Sequence, residues 1–251
     1  MNREELKKYI GVTGYSLGQV EKDYFQHILL GALSRNLGEK LVFKGGTALQ
    51  KLGVIPRFSE DLDFTARHNI TMDKLKGNVL RAIQNYNYLV EVDNLIDDER
   101  TIGFRIKIQG ILYRNQRGIC SIRIEISKRE TVILAPVKKE FTPLYTDILP
   151  YLMNVMQMDE ILAEKIRTIY TREKARDLYD IYKILESGTN FNNDLTNKKL
   201  EYYDLQFDTP IFYKHCEKLK PNWENELQSL MEYQPSYQKA LNTVKEKLKN
   251  K

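Results

Sequence analysis

The sequence predicts an α+β fold: a sheet with helices packed on one side, followed by an all-helical C-terminal lobe. Two stretches alternate with period two. Ile102, Phe104, Ile106 and Ile108 interleave with Gly103, Arg105, Lys107 and Gln109, and Ile122, Ile124 and Ile126 with Ser121, Arg123 and Glu125. Such alternation marks strands with one buried face. Apolar residues at helical spacing fill the stretches before them. After Met158 the pattern turns wholly helical. The boundary falls near residue 155, giving a core with N-terminal helices over 1–155 and a helical lobe over 156–251.

The elements follow in order. Leu17, Val20, Tyr24, Ile28 and Leu33 predict a long amphipathic helix over 17–37, with Ser16 as N-cap and Gly38 as stop. Leu41-Val42-Phe43 is a short apolar run before a glycine pair, read as a buried strand. Residues 47–52 form a short helix. Residues 61–65 form a second strand, with Leu62 and Phe64 on one face and Asp61 and Asp63 on the other. Met72, Leu75, Val79 and Ile83 predict a helix over 72–86. Beyond the two alternating strands, helices are expected over 159–171 and 176–186, and again from 196 to the end, with a polar loop at 188–193.

The 251 residues and their mix of apolar and charged side chains are those of a globular protein. No apolar run approaches the roughly 20 residues that cross a bilayer, and the N-terminus lacks an apolar signal core. A cytoplasmic protein without a membrane partner is expected. Cys120 and Cys216 lack CxxC spacing, and His27, His68 and His215 lie in different elements, which argues against disulfide or zinc frameworks. The net charge of +5 is compatible with a polyanionic partner.

The chemistry concentrates in Lys44-Gly45-Gly46-Thr47-Ala48-Leu49 and Arg57-Phe58-Ser59-Glu60-Asp61-Leu62-Asp63-Phe64. Alternate residues of a strand point the same way, so Asp61 and Asp63 can face one hard cation. Magnesium takes one or two protein carboxylates and completes its shell with substrate phosphates. Glycines let backbone approach a phosphate that side chains would block, and Thr47 adds a hydroxyl. Glu125, on the polar face of a later strand, offers a third carboxylate to a metal or to a proton. Each feature has a plainer reading: solvated acids on a strand end, or a tight strand-to-helix turn. Their pairing at this spacing favours a site.

A second segment runs from Glu160 through Lys165 and Arg172 to Arg176-Asp177-Leu178-Tyr179-Asp180. Between Glu164 and Arg176 there are five basic and two acidic residues, a local excess that suits a triphosphate or an RNA backbone. The plainer reading is a salt-bridged helix pair, Arg176 with Asp180 and Asp180 with Lys183. Asp177 and Asp180 would then orient the basic residues.

Together these residues, with Ala163-Glu164-Lys165 and Arg176-Asp177-Leu178-Tyr179-Asp180, resemble the signature of the AbiEii/MenT nucleotidyltransferase toxins, a branch of the polymerase-β-like nucleotidyltransferase superfamily. The resemblance spans residues 44–180 in the family's order. It implies a mixed sheet followed by a helical lobe, and Mg²⁺-dependent transfer of a nucleoside monophosphate from an NTP, with Mn²⁺ as an alternative metal. It implies metal ligation by Asp61 and Asp63, with Glu125 as the third acid where the superfamily usually has Asp. Gly45, Gly46, Thr47 and Ser59 would hold phosphates. Lys165 would contact the nucleotide, Arg57 would stabilise the departing pyrophosphate, and Asp177 would lie at the site or brace it. The implied acceptor is a tRNA 3′ end, and the implied partner is a cognate antitoxin. Transfer to a protein or small-molecule hydroxyl, and a non-catalytic nucleotide- or RNA-binding module, remain as alternatives from the residues alone.

Overall fold

The computed structural model describes residues 1–249. They divide into two compact units. The first comprises Met1–Ala48, Glu60–Val132 and Pro136–Val155. The second comprises Leu49–Ser59, Ile133–Ala135 and the chain from Met156 onward.

The first unit is built on a seven-stranded sheet. In chain order its strands are β1 (Leu41–Lys44), β2 (Leu62–Ala66), β3 (Leu89–Asp97), β4 (Thr101–Gln109), β5 (Cys120–Ser127), β6 (Val137–Phe141) and β7 (Tyr151–Val155). Their spatial order is β3-β4-β5-β2-β1-β7-β6. The sheet is mixed. β2 runs parallel to β5 and β1 parallel to β7, while the other neighbours are antiparallel. The alternation read from sequence sets the faces of β4 and β5. Ile102, Phe104, Ile106, Ile108, Ile122, Ile124 and Ile126 are all buried, and their odd-numbered neighbours turn to the opposite, polar face.

Three helices precede the sheet: α1 (Arg3–Lys7), α2 (Ile10–Thr13) and α3 (Leu17–Leu37). Ser16 caps α3, its hydroxyl accepting the Gln19 N–H while the Gln19 side chain accepts the Ser16 N–H. The sequence reads this helix as amphipathic. In the structure every residue from Val20 to Leu33 except Lys22 is buried, as in a helix packed on several sides. Several of its buried polar groups are paired. The Tyr145 hydroxyl donates to Asp23 at 2.8 Å, and His27 Nδ1 lies 2.9 Å from the Tyr151 hydroxyl. Helix α5 (Met72–Gln84) buries Met72, Leu75, Val79 and Ile83. Between β1 and β2 comes α4 (Gly45–Lys51).

The second unit carries α6 (Met158–Thr171), α7 (Ala175–Glu186), α8 (Asn193–Glu201), α9 (Thr209–Glu217), α10 (Trp223–Gln228) and α11 (Tyr237–Lys249). Tyr179, Trp223 and Tyr237 form a chain of tilted and edge-on rings in its core. Lys199 ties the unit together from within: its buried ammonium lies 2.6 Å from Glu160 and 3.2 Å from Glu164. Glu160 also accepts the N–H groups of Ile133 and Leu134, each at 2.9 Å. Among the described residues no helix is long and apolar enough to cross a membrane.

Candidate active site

The sheet unit gathers one set of the residues singled out from sequence. Lys44, the last residue of β1, stands opposite Asp63 on β2. Asp63 stands beside Glu125 on β5, and Glu125 opposite Gly103 on β4. Register partners share a face, so these four positions form a row across the polar side of the sheet. Adjacent strands are about 4.8 Å apart, which sets the Asp63 and Glu125 side chains next to each other.

The turn leaving β1 is shaped to this row. Gly45 has φ +77°, the left-handed region in which only glycine is comfortable. A Cβ there would lie 2.5 Å from Asp63 Oδ2 and 3.0 Å from Asp63 Cβ. The position therefore excludes a side chain on two independent grounds, and the space kept open is at the Asp63 carboxylate. Gly46 and Thr47 follow inside the first turn of α4, both buried. The Thr47 hydroxyl donates to the main-chain carbonyl of Asp61. Its proton thus fixes the strand entry, where the sequence suggested a contact to phosphate.

Asp61 lies one residue before β2 and is half-buried. Its approach is held by α3. The Gln26 amide donates to the Glu60 carbonyl at 3.0 Å, and Lys22 pairs with the Glu60 carboxylate at 2.7 Å. Glu125 is drawn along its own strand, with Arg123 Nη2 2.6 Å from its carboxylate. Among the described residues no group of three or more His, Cys, Asp or Glu side chains is assembled to hold a metal ion. The arrangement suits a hard cation that takes carboxylates from Asp61 and Asp63 and oxygens from substrate phosphate; Glu125 would have to leave Arg123 to join it. Sequence reasoning passed over Lys44 as a site residue. Its side chain is buried, with Nζ 3.4 Å from Glu130 Oε2, and only the strand register reveals that it shares a face with Asp63.

The helical unit gathers a second set. Lys165 Nζ sits between Asp177 Oδ1 at 2.9 Å and Asp180 Oδ2 at 2.7 Å. Arg57 grips Asp180 with two nitrogens, Nε to Oδ1 and Nη2 to Oδ2, both at 2.7 Å, and its Nη1 donates to the Phe58 carbonyl at 3.1 Å. Arg172 grips Asp177 at 2.8 and 2.9 Å. Asp177 and Asp180 are fully buried, Arg57 and Lys165 nearly so. Burial alone would raise both carboxyls. Lys165 and Arg172 outweigh it at Asp177, and Arg57 and Lys165 at Asp180, so both stay below the usual carboxylate range.

Three cations against two carboxylates leave the cluster with one net positive charge. This network replaces the helix-pair reading. Asp180 bonds to Arg57 and Lys165 rather than to Arg176 or Lys183, and Lys183 pairs with Glu186 at 2.5 Å instead. Buried carboxylates take the partners that enclose them, while Lys183 is near the solvent-facing side of α7. Arg57 uses three of its five N–H groups on Asp180 and the Phe58 carbonyl, and so fixes Asp180. Lys165 uses two of its three N–H groups on these aspartates, and no further partner for the third occurs among the described residues. Ser59, in the same unit, donates its N–H to Gln50 Oε1 at 2.9 Å.

Comparison with known proteins gives this constellation a context. Residues 28–250 match the sequence family described as nucleotidyl transferase AbiEii toxin, type IV toxin–antitoxin system. No curated protein matches the chain. Among solved structures, MenT4, a nucleotidyltransferase toxin from Mycobacterium tuberculosis H37Rv, aligns with a TM-score of 0.69 at 22% identity, over 98% of this chain and 88% of that one. JHP933 from Helicobacter pylori aligns at 0.61 and 20% identity, over 91% and 89%. A putative nucleotidyltransferase from H. pylori aligns at 0.62 and 20%, over 92% of each chain. At these identities the solved structures speak to the fold. The family match covers most of the chain, and with it the glycine turn, the paired acids and the buried Lys165 cluster: the protein belongs to the AbiEii nucleotidyltransferase toxin family of type IV toxin–antitoxin systems.

Proposed function

We propose that the chain moves a nucleoside monophosphate from an NTP to an RNA hydroxyl, the 3′ end of tRNA, and does so as a toxin restrained by a cognate antitoxin. The observation that carries this reading is the space at Gly45, where a side chain would displace the Asp63 carboxylate. A turn that keeps backbone bare beside a strand acid is suited to a phosphate bridged to that acid by a cation.

Magnesium, or manganese in its place, would supply charge neutralisation at the triphosphate and a lowered pKa for the attacking hydroxyl. Asp61 and Asp63 hold that cation. The backbone of Gly45 and Gly46 lies along the triphosphate. Thr47 keeps Asp61 in place through its carbonyl. Glu125 accepts the proton of the acceptor hydroxyl once it turns from Arg123, which the strand register allows because Asp63 is its immediate neighbour. In the helical unit Asp177 orients Lys165, whose part by the family resemblance is to contact the nucleotide, and Arg57 acts at one remove by fixing Asp180.

Incubation with Mg²⁺, each α-labelled NTP in turn and total tRNA, with Asp61→Ala alongside, tests the reading. Label on tRNA with the wild type and none with the variant is expected. Label on the protein itself, or on no RNA with NTP binding intact, would overturn the RNA assignment.

A further inference from the structure

The hairpin of β4 and β5 carries a charge pattern that the chemistry above does not use. From Thr101 to Ile124 there are five cations, Arg105, Lys107, Arg114, Arg117 and Arg123, and no acidic residue. The apolar residues of both strands are buried, so the cations of the strands share the opposite face, which is the face of Asp63 and Glu125. The register orders them into rows. Next to the Asp63–Glu125–Gly103 row comes Arg123 opposite Arg105, with Asp93 of β3 beyond it, and then Ser121 opposite Lys107, with Glu91 of β3 beyond it. Each step along a strand pair of residues is about 7 Å. A path therefore leads from Glu125 over Arg123, Arg105 and Lys107, edged by Asp93 and Glu91 of β3, to the loop joining the strands, which bears exposed Arg114 and Arg117 together with Tyr113, Asn115 and Gln116.

The face is open and its loop is held. A cavity of about 740 Å³ lies elsewhere, at the β6–β7 edge, whereas one of about 500 Å³ is lined here by Arg105, Lys107, Gln109, Gln116, Ser121 and Glu91. Helix α3 pins the start of the loop. Glu21 accepts the Leu112 N–H at 2.6 Å, and Gly110 packs so closely on Phe25 that a Cβ would lie 2.6 Å from its ring. Two of the cations are answered locally, Arg123 by Glu125 and Lys107 by Asp93. Arg105, Arg114 and Arg117 have no ion pair among the described residues. Arg114 and Arg117 on the braced loop, with amide and phenol groups among them and Arg105 beside Asp93 on the strand, match a phosphodiester chain with accessible bases better than an acidic protein surface.

We infer that this polar face of the β4–β5 hairpin is the track on which the acceptor RNA lies, its reactive hydroxyl at Glu125 and its upstream phosphates over Arg123 and Arg105 towards Arg114 and Arg117. The inference rests on the RNA-directed reading above and adds where the acceptor binds. Glu125 and Arg123 then have a shared role: an incoming phosphate that takes Arg123 releases the Glu125 carboxylate for the hydroxyl.

The test uses the full chain, labelled tRNA and the triple variant Arg105→Ala/Arg114→Ala/Arg117→Ala, with Arg117→Glu as a milder second variant. Binding is followed by anisotropy between about 50 and 200 mM salt, transfer by label, and NTP affinity by calorimetry. The triple variant should bind NTP as the wild type does, raise KM for tRNA about tenfold or more, and lower the salt slope by about 2, the loss of three single-strand phosphate contacts. Arg117→Glu should raise KM without changing NTP affinity. If the wild type labels tRNA while both variants keep its KM and salt slope, the track is wrong and the RNA reading stands. If the wild type neither binds nor labels tRNA, the RNA reading fails and the track falls with it.

Discussion

Gly45 and Asp63 are built to touch: a Cβ on the glycine would sit 2.5 Å from Asp63 Oδ2. The glycine also has φ +77°, where L-residues are strained by about 1–2 kcal/mol. Gly45→Ala is expected to fold with a modestly lowered melting temperature and to lose at least about tenfold in nucleotidyl transfer, because Asp63 must swing away. Thermal melts and initial rates measured together check this. A variant with wild-type rates would show that the contact has no bearing on chemistry.

Thr47 and Asp61 supply a second, finer test. The Thr47 hydroxyl donates to the Asp61 carbonyl, and an intramolecular hydrogen bond of this kind contributes roughly 1 kcal/mol. Thr47→Val should therefore weaken metal–NTP binding by about fivefold or more while Thr47→Ser retains it. Calorimetric titration of both variants distinguishes loss of the hydroxyl from loss of shape.

The Lys165 cluster makes the helical unit sensitive to acid. Asp177 and Asp180 are held below the usual range by Lys165, Arg172 and Arg57. A depressed carboxyl stabilises fully above its unfolded value of about 3.9 and loses that contribution as pH falls through its folded value. Melting temperature should thus hold from neutral pH down to about 4 and fall steeply below it. Asp180→Asn leaves Arg57 and Lys165 short of a partner and should cost about 3–5 kcal/mol at neutral pH, with a flatter acid limb. Denaturant titrations at pH 7 and pH 3 decide the point, and an unchanged acid limb would contradict it.

Cys120 and Cys216 are both buried, and burial pushes each thiol up to about 12. Neither forms appreciable thiolate near neutral pH. Alkylation at pH 8 should be slow in the native protein and fast in denaturant. Rapid native labelling of either would mean that its surroundings open readily.

Much of the architecture was legible in the residues. The period-two runs of β4 and β5 set their buried faces, and the Ser16 cap and helical spacing located α3. β3 and β6 were not legible. They are the outer strands of the sheet, and Leu89–Asp97 and Val137–Phe141 are largely exposed with charges interspersed, which erases the alternation that marks a half-buried strand. The row joining Lys44, Asp63 and Glu125 was hidden for another reason. It depends on strand order and register, and residues 62 positions apart carry no local sign of being neighbours. The ion pairs of Asp180 were missed likewise, because sequence favours partners one helical turn away, whereas burial selected Arg57, 123 residues distant.

The most direct test of the account follows both ends of the triphosphate. Parallel reactions with α-labelled and γ-labelled NTP, tRNA and Mg²⁺ are run with wild type and Asp63→Asn, with folding of the variant verified by circular dichroism. The α-label is expected on RNA, the γ-label in pyrophosphate, and neither with Asp63→Asn. A γ-label on the acceptor, or full transfer by Asp63→Asn, would contradict nucleotidyl transfer at this site.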